Sequence, residues 1–377
     1  MKLKKKAVVS IAMCLSLILV GQPVYGETNN NPVKPTTDIV SSQTSEDKQG
    51  SIDDKQEAGQ DGKVVTDKVI NKLNVSRISG KDRYETSVKV SDELQKMSSG
   101  LFYHAVVASG DSFPDALTAG TMAAELEIPL LLTKSNKLPD SVNKAMKNYI
   151  IQNIYLVGGK NSIVDTMEAS IRDTLAIKTK RLAGVDRVDT AFAVYNEINY
   201  SKKIIGYGNT AAVYSGKSYT DALAAAPYMY QMNRDQKKYI KPLVPYIKAL
   251  NYLNIDTIFG GVNSVADTPA TKLASRRFSG SNRYKTAIEI AKAYKDVLNR
   301  DIDTVILVSA DSFPDALSAT PLACKKNAAI LLTNKDRLNK YTAAYLKEAN
   351  NIKNVIIVGG QGAVSAEVEK QLGDIER

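Results

Sequence analysis

Short apolar runs alternate with amphipathic stretches along the chain after residue 77, and the same order occurs three times. In each copy, a run rich in Val, Ile and Leu leads into a Ser-Gly or Ser-Ala pair, and an Asp-Ala-Leu helix start follows. These segments are 106–117, 213–223 and 307–317. A continuous apolar run of this length predicts a strand that is buried on both faces, as in a parallel sheet covered by helices.

Two more apolar runs follow in every copy, and the second of them ends in a glycine pair. The stretch 86–97 has apolar residues at helical spacing, and segment 165–168 has the capping-box pattern of a helix start. The runs lie at 129–132, 242–244 and 329–332, and then at 154–157, 258–259 and 355–358. Strands thus alternate with helices, which is the signature of a Rossmann-like parallel α/β unit.

A polar ten-residue frame, R-x-x-G-x-[DN]-R-x-x-T, opens each copy at 77–86, 181–190 and 277–286. The separations of 104 and 96 residues make each unit a small domain and not a solenoid repeat. We therefore predict three modules, with the bounds 77–180, 181–276 and 277–377.

The residues before the frames predict two further segments. Residues 1–26 contain four lysines, an apolar run and a small-residue exit, which are typical of a secretory signal peptide. The alternative, a membrane anchor, needs more apolar residues than the fourteen of that run. Residues 27–76 are polar and predict a disordered spacer. Because the other apolar runs are shorter still, we expect no stable membrane insertion after signal cleavage.

Charge changes this picture in one respect. The sequence has a net charge of +10, of which residues 1–26 account for +4 and residues 27–76 for −3, so the repeats carry +9. A basic repeat region favours an anionic partner. The alternative is a soluble surface that happens to be basic.

Strand–glycine–helix turns also occur in nucleotide sites, because helix N-termini hold phosphate. This chain has neither G-x-G-x-x-G nor G-x-x-x-x-G-K-[ST], and Asp111, Asp115, Asp311 and Asp315 would place carboxylates where a phosphate would lie. We therefore expect no nucleotide and no other cofactor.

Catalytic residue types are scarce in the repeats. The only histidine, His104, is replaced by Thr210 and Thr304 in the other copies, and Cys324 has Ala124 near its place in the first. A residue absent from two of three modules is better explained as a strand-end position or a buried small residue than as a shared catalyst. Zinc hydrolases need several such ligands together, so we expect neither an enzyme nor a metal site.

The recurring polar residues allow two interpretations. In the structural one, the second arginine of each frame pairs with a nearby carboxylate and locks the frame onto the sheet. In the functional one, arginines and helix-start aspartates line grooves between modules and bind a charged glycan. Both can hold, because a guanidinium can bind a carboxylate on one side and a phosphate on the other. Together with the strand-end serines and one lysine of the middle copy, the candidate polymer-binding residues are Arg83, Arg187, Arg283, Asp115, Asp221, Asp315, Ser109, Ser215, Ser309 and Lys217.

The three copies resemble the cell-wall-binding repeat type 2 module of exported Gram-positive surface proteins, notably clostridial cell wall proteins. The resemblance rests on the frames, on Ser-Phe-Pro-Asp-Ala-Leu at 112–117 and 312–317, on Pro-Leu-Leu-Leu at 129–132 and on the glycine pairs, and it covers 77–377. It implies three Rossmann-like modules packed as a pseudo-threefold trimer within one chain. It also implies a secreted protein held non-covalently in the wall by an anionic polysaccharide or teichoic-type polymer, with S-layer proteins as further candidate partners and no nucleic acid.

The middle copy departs most from the family pattern. It has Val188 where the others have Tyr84 and Tyr284, and seven extra residues before Pro242. Whether this module binds ligand is therefore left open. Members of the family usually carry an effector region, and none is visible here. The alternative functions are a modifier or activator of a wall hydrolase, or a weak wall-active enzyme built on the same modules.

Overall fold

A computed structural model describes residues 72–204, 208, 210–235, 239–247 and 253–377. The predicted signal peptide and the predicted spacer up to residue 71 lie outside the described residues, as does part of the insertion in the middle copy. None of the helices in the described part of the chain is long and apolar enough to span a membrane.

The described residues contain twelve strands, which form three parallel sheets of four strands each. The strands are β1 (Asn74–Ile78), β2 (His104–Ser109), β3 (Leu130–Thr133), β4 (Asn153–Val157), β5 (Lys178–Leu182), β6 (Thr210–Ser215), β7 (Leu243–Tyr246), β8 (Asn254–Phe259), β9 (Arg276–Phe278), β10 (Thr304–Ser309), β11 (Ala329–Thr333) and β12 (Asn354–Val358). The strand orders are β3-β2-β4-β5, β7-β6-β8-β9 and β11-β10-β12-β1. The central strands β2, β6 and β10 are the predicted apolar runs and are almost wholly buried.

Helices connect the strands in every module, as the alternating pattern predicts. They are α1 (Arg83–Lys96), α2 (Phe113–Glu125), α3 (Asp140–Asn148), α4 (Asp165–Leu175), α5 (Arg187–Ser201), α6 (Thr220–Asp235), α7 (Pro269–Lys272), α8 (Arg283–Asp296), α9 (Ala319–Lys325), α10 (Lys340–Glu348) and α11 (Ala366–Gly373), with a 3₁₀ turn at Ala316–Ser318 before α9.

Each sheet takes its fourth strand from the start of the following repeat. Strand β5, which carries the second frame, pairs with β4 of the first module, and β9 pairs with β8 in the same way. Strand β1 pairs with β12, about 280 residues later, with Asn74 opposite Asn354. The three modules are therefore joined in a closed cycle. Residues 74–76 lie in β1, so the end of the range predicted to be disordered, 27–76, is ordered by this pairing.

The three modules meet along α2, α6 and α9, which contact one another pairwise. At the start of these helices, the rings of Phe113, Tyr219 and Phe313 form a triangle with centroid distances of 6.0, 5.8 and 5.6 Å. These residues occupy equivalent positions in the three repeats. The prediction of three parallel α/β modules is confirmed, and the cyclic pairing and the ring triangle agree with pseudo-threefold packing.

Two local predictions differ from the structure. The capping box at 165–168 is wrong, because Val164 is the N-cap residue of α4 and Glu168 is bound to an arginine of the next frame. A capping box occurs instead at Thr268 and Thr271 in the middle module. In the third module a 3₁₀ turn replaces the proline-led first helical turn seen in α2.

Candidate functional site

The polar frame is a tight turn that leads from a strand into a helix. In the first frame, Asp82 is the N-cap and accepts a hydrogen bond from the Glu85 N–H at 2.8 Å. The Thr86 hydroxyl accepts from the Gly80 N–H at 3.1 Å and donates to the Asp82 carbonyl at 2.9 Å. A Cβ on Gly80 would lie 2.5 Å from Glu85, so the turn requires glycine. The Gly-to-Thr bond recurs at 3.0 Å in Gly184–Thr190 and Gly280–Thr286.

The first arginine of each frame binds the glycine pair of the sheet that its strand completes. Arg181 Nη1 donates to the Gly158 carbonyl at 2.9 Å, and its Nε and Nη2 lie 2.9 and 2.8 Å from Glu168 Oε2. In the other frames, Arg77 binds the Gly359 carbonyl and Glu369, and Arg277 binds the Gly260 carbonyl and Asp267. Sequence reasoning did not single out these arginines. The sequence did contain a signal, an acidic residue before each of two frames. Glu168 precedes Arg181 by thirteen positions, and Asp267 precedes Arg277 by ten.

The second arginine of each frame, a candidate site residue, reaches the carboxyl end of a strand in its own module. Arg83 Nη1 donates to the Gly110 carbonyl at 2.7 Å, and Arg283 Nη1 donates to the Ala310 carbonyl at 2.9 Å. Arg187 donates to the Gly216 carbonyl. Only Arg83 among these three also pairs with a carboxylate in the described residues, that of Asp111 at 3.4 Å. The carboxylate lock of the structural interpretation is thus present in the first module alone, and the recurring partner is a carbonyl.

The strand-end serines close the turn after each central strand. Their hydroxyls accept hydrogen bonds from the N–H two residues later, at 3.2, 3.3 and 3.1 Å for Ser109, Ser215 and Ser309. All three side chains are buried. Lys217, in contrast, is exposed at the edge of the middle sheet. The serines therefore shape the site, whereas the lysine is accessible to a ligand.

The middle module lacks a polar pair that the first module has at this edge. Tyr84 donates its hydroxyl to Asp111 at 3.1 Å, and burial together with this bond raises the pKa of Tyr84 to about 12. The equivalent positions are Val188 and Lys217. Within the described part of the chain, the middle module thus presents a cation without an ion-pair partner where the first presents a bound carboxylate.

The helix-start aspartates face the frame of the following repeat and define three inter-module grooves. The first groove lies between Asp115 with Gly158–Gly159 and the second frame, and the second groove lies between Asp221 with Gly260–Gly261 and the third frame. The third groove lies between Asp315 with Gly359–Gly360 and the first frame. The glycines Gly158, Gly260 and Gly359 have φ values of +123°, +116° and +129°. A Cβ on Gly158 or Gly260 would lie 2.7 or 2.8 Å from the aspartate Oδ2, so each carboxylate packs directly on the glycine turn.

The three aspartates differ in their hydrogen bonds. Asp115 accepts from the Ser162 hydroxyl at 2.6 Å. Burial raises the pKa of Asp315, and bonds from Thr86 and the Gly360 N–H oppose this shift. Asp221 is 6% exposed and has no hydrogen-bond partner within the described part of the chain. Burial raises its pKa to about 6, and the charge of Arg283 only partly offsets the effect.

The second groove contains an open cavity of about 620 Å³. Asp221 lies on one wall, the turn after Gly261 on another, and the third frame on the opposite side. Most of the other lining groups are hydroxyls and amides, namely Ser218, Thr220, Asn263, Ser264, Ser279, Ser281, Asn282 and Thr286, and Arg277 and Arg283 also line it. Val262 is the one apolar side chain among the described lining residues, and the cavity is open to solvent.

Exposed cations without an ion-pair partner among the described residues lie beyond the carboxyl ends of the strands. Lys134 and Lys137 follow β3, and Lys217 follows β6. Lys335 and Arg337 follow β11. We call these five residues the cationic edge. Asp111 binds Arg83 and Asp311 accepts from a backbone N–H at 3.3 Å, whereas Asp336 is exposed between Lys335 and Arg337.

His104 and Cys324, the two residue types that a catalytic site would use, lie apart from each other. His104 is exposed at the amino end of β2 and stacks on Tyr155 at 6.4 Å. Cys324 is 1% exposed beside Ala124 and Tyr230, and burial raises its pKa, which confirms the interpretation as a buried small residue. No group of three or more potential metal ligands occurs among the described residues.

The frames, the sheets and the grooves recur as one unit, and the sequence profile of Cell wall binding domain 2 (CWB2) matches each unit, at 77–168, 181–269 and 277–369. The chain belongs to the CWB2 family. This assignment confirms the predicted resemblance, and it makes the chain a wall-associated, wall-polymer-binding protein of three repeats.

Two relatives from Bacillus subtilis (strain 168) match across the same part of the chain. The N-acetylmuramoyl-L-alanine amidase LytC is 32% identical over 304 residues, which are 79% of this chain and 58% of the relative. An amidase enhancer is 28% identical over 302 residues, which are 79% of this chain and 40% of the relative. The chain thus spans about half the length of the curated relatives it matches.

Two solved structures share the fold. Cwp6 from Clostridium difficile superposes with a TM-score of 0.65 at 23% identity, over 81% of this chain and 48% of that one. Cwp8 from the same organism superposes with a TM-score of 0.64 at 22% identity, over 80% of this chain and 51% of that one. These similarities confirm the parallel α/β architecture.

Proposed function

We propose that this protein is secreted and is held in the cell wall by an anionic secondary polymer, which binds along the cationic edge and in the inter-module grooves. The observation that carries the proposal is the cationic edge itself. The edge places unpaired positive charge from all three modules beyond the carboxyl ends of the strands, where open α/β sheets bind ligands. The repeats carry most of the net charge, which supports the same partner.

A charge-reversal experiment tests this proposal. Lys134, Lys137 and Lys335 are changed together to Glu, and binding to purified walls is measured at low and at physiological salt. The matched control changes three exposed lysines near the amino ends of the strands, Lys147, Lys178 and Lys353. We expect at least a tenfold loss of affinity for the edge variant and less than a twofold change for the control. Equal losses would mean that only net charge matters.

The polymer is identified by stripping it from the wall. Binding to walls without their secondary polymer should be lost, and binding to intact walls should weaken as salt rises, because exposed charges are screened within about 10 Å at 0.1 M salt. Undiminished binding to stripped walls would refute the anionic polymer as the ligand.

The names of the two relatives favour a second candidate function, modulation of a wall amidase. In this proposal the chain binds the wall and changes the rate of a separate amidase, without cleaving wall itself. Turbidity clearing is followed with amidase alone, protein alone and both. Clearing by the protein alone would overturn the proposal that the modules only bind, and an unchanged rate of clearing in the mixture would exclude modulation.

A further inference from the structure

The three grooves have the same elements but unequal hydrogen bonding, and the second differs most. The carboxylate of Asp115 accepts from the Ser162 hydroxyl, and the Gly360 N–H favours the charged form of Asp315. Asp221 is more than nine-tenths buried and lacks such a partner among the described residues. The Asp221 side chain lines an open cavity, so water or a ligand there supplies the hydrogen bonds that this carboxylate requires.

The donor reaches Asp221 from the cavity of about 620 Å³ whose wall it forms. This volume lies within the roughly 300–1,000 Å³ typical of small-ligand pockets. On the opposite wall, Arg283 uses Nη1 for the Ala310 carbonyl at 2.9 Å, and its other nitrogens have no partner in the described part of the chain. One wall therefore accepts hydrogen bonds, and the other donates them.

The charges around the cavity select the class of ligand. An ionised carboxylate repels a phosphate, and the guanidinium groups of Arg277 and Arg283 repel an ammonium group. A hydroxyl can donate to Asp221 and accept from Arg283 at the same time. Neighbouring hydroxyls on a sugar ring fit this pairing, and the amides and hydroxyls of Asn263, Ser264 and Ser281 provide further polar contacts.

We infer that the second groove is a sugar-binding subsite, in which Asp221 accepts hydrogen bonds from the hydroxyls of an uncharged sugar residue and Arg283 donates to them. The inference rests on the proposed wall binding and refines it, because the anionic groups of the polymer then lie on the cationic edge and a neutral sugar ring enters the groove. The first and third grooves, whose aspartates are already bound, contribute less.

Two glycines allow a test that leaves the carboxylates untouched. A Cβ at Gly261 would meet no atom within 4 Å, and the same holds for Gly100, which lies before β2 and outside the grooves. A leucine is therefore tolerated at either position, and at 261 it projects into the cavity. We expect Gly261→Leu to lower the affinity for purified walls at least fivefold and Gly100→Leu to change it less than twofold. Equal effects of the two variants, or no effect of either, would overturn the inference.

A second pair of variants tests the carboxylate. Asp221→Asn removes a buried charge, so the fold should be as stable as the wild type or more stable, while wall affinity falls at least fivefold. Asp173→Asn, at an exposed aspartate of α4 outside the grooves, is the control and should change affinity less than twofold. Unaltered wall binding by a folded Asp221→Asn protein would contradict the role of Asp221.

A direct ligand experiment separates this inference from the proposed function. The full chain is titrated with methyl α-D-glucopyranoside and with N-acetylglucosamine while backbone amide resonances are followed. Shifts confined to residues 261–264 and 279–283, and lost in Asp221→Asn, support the subsite even if the stripped-wall experiment fails. Shifts spread over all three grooves, or none, overturn it even if the polymer is required. Intact and stripped walls then show whether the sugar belongs to the secondary polymer or to peptidoglycan.

Discussion

The two arginines of each frame lie six residues apart in one motif, yet their surroundings differ. The Arg181 side chain is 15% exposed and pairs with Glu168, which is 19% exposed. The Arg83 side chain is 34% exposed, and its partner Asp111 is 53% exposed. The first arginine joins one module to the next, and the second lies at a groove where a ligand can reach it. Both arginines recur in every repeat, so recurrence alone does not show which of them stabilises the fold and which can contact a ligand. The burial of the side chain and its ion-pair partners do show this.

Removing the first arginine together with its strand gives the largest expected effect. A chain that begins at Ser79 lacks β1 and Arg77 but keeps Arg83. It loses the burial of Leu73, Val75 and Ile78, at about 1.5–3 kcal/mol for a fully buried side chain, and opens the cycle at β12. We expect the free energy of unfolding of the third module to fall by about 5 kcal/mol or more, measured by urea denaturation.

The control for this truncation is a chain that begins at Lys72 and keeps β1. It should unfold at the same urea concentration as the full chain. The exposed edge of β12 should also make the shorter chain associate, which sedimentation velocity can detect. A monomeric chain of unchanged stability from Ser79 would show that the cycle does not need β1.

Breaking one ion pair tests the comparison at a single residue. Arg181→Met leaves Glu168 largely buried without its cation, so we expect a loss of about 3 kcal/mol in the free energy of unfolding. Arg172→Met removes an exposed pair with Asp173, whose side chains are 55% and 65% exposed, and should cost less than about 0.5 kcal/mol. Similar urea midpoints for the two variants would contradict the structural role of the first arginine.

Much of the fold can be predicted from the sequence, because buried parallel strands are continuous apolar runs and the frames fix the spacing of the repeats. The pairing of each frame strand with the sheet of another module cannot be predicted in this way. Strands β1, β5 and β9 are short and half polar, and packing between modules determines their partners. In the site, Arg83 and Asp115 stand out by recurrence. That Asp221 has no protein donor among the described residues cannot be predicted from the sequence, because it depends on which side chains lie close to it in the folded chain.

Titration of Asp221 sharpens the comparison between the second groove and the first. Its folded-state pKa of about 6 lies above the 3.8 of an ordinary aspartate, so between these values the folded chain keeps a proton that the unfolded chain has released. Stability should therefore fall as the pH rises from about 4 to 6 and be lowest above 6, by up to about 3 kcal/mol. The stability difference between wild type and Asp221→Asn, measured by urea denaturation from pH 4 to 7.5, should grow over this window. A constant difference would mean that Asp221 ionises normally, and Asp115→Asn provides the comparison.

The two arginines of the third frame provide a comparison within one motif, in which we expect a small loss of stability for the second arginine and a larger one for the first. Arg283→Met removes one hydrogen bond to the Ala310 carbonyl from an exposed side chain and should cost about 1 kcal/mol. Arg277→Met removes the Gly260 and Val265 carbonyl bonds and the pair with Asp267, and should cost about twice as much or more. Wall binding, measured where both variants are folded, should show the reverse order, because Arg277 is held by two carbonyls and Asp267, whereas Arg283 has one hydrogen bond among the described residues and lines the same cavity. If Arg277→Met is both less stable and weaker in wall binding than Arg283→Met, the frame does not divide into a structural and a ligand-facing arginine.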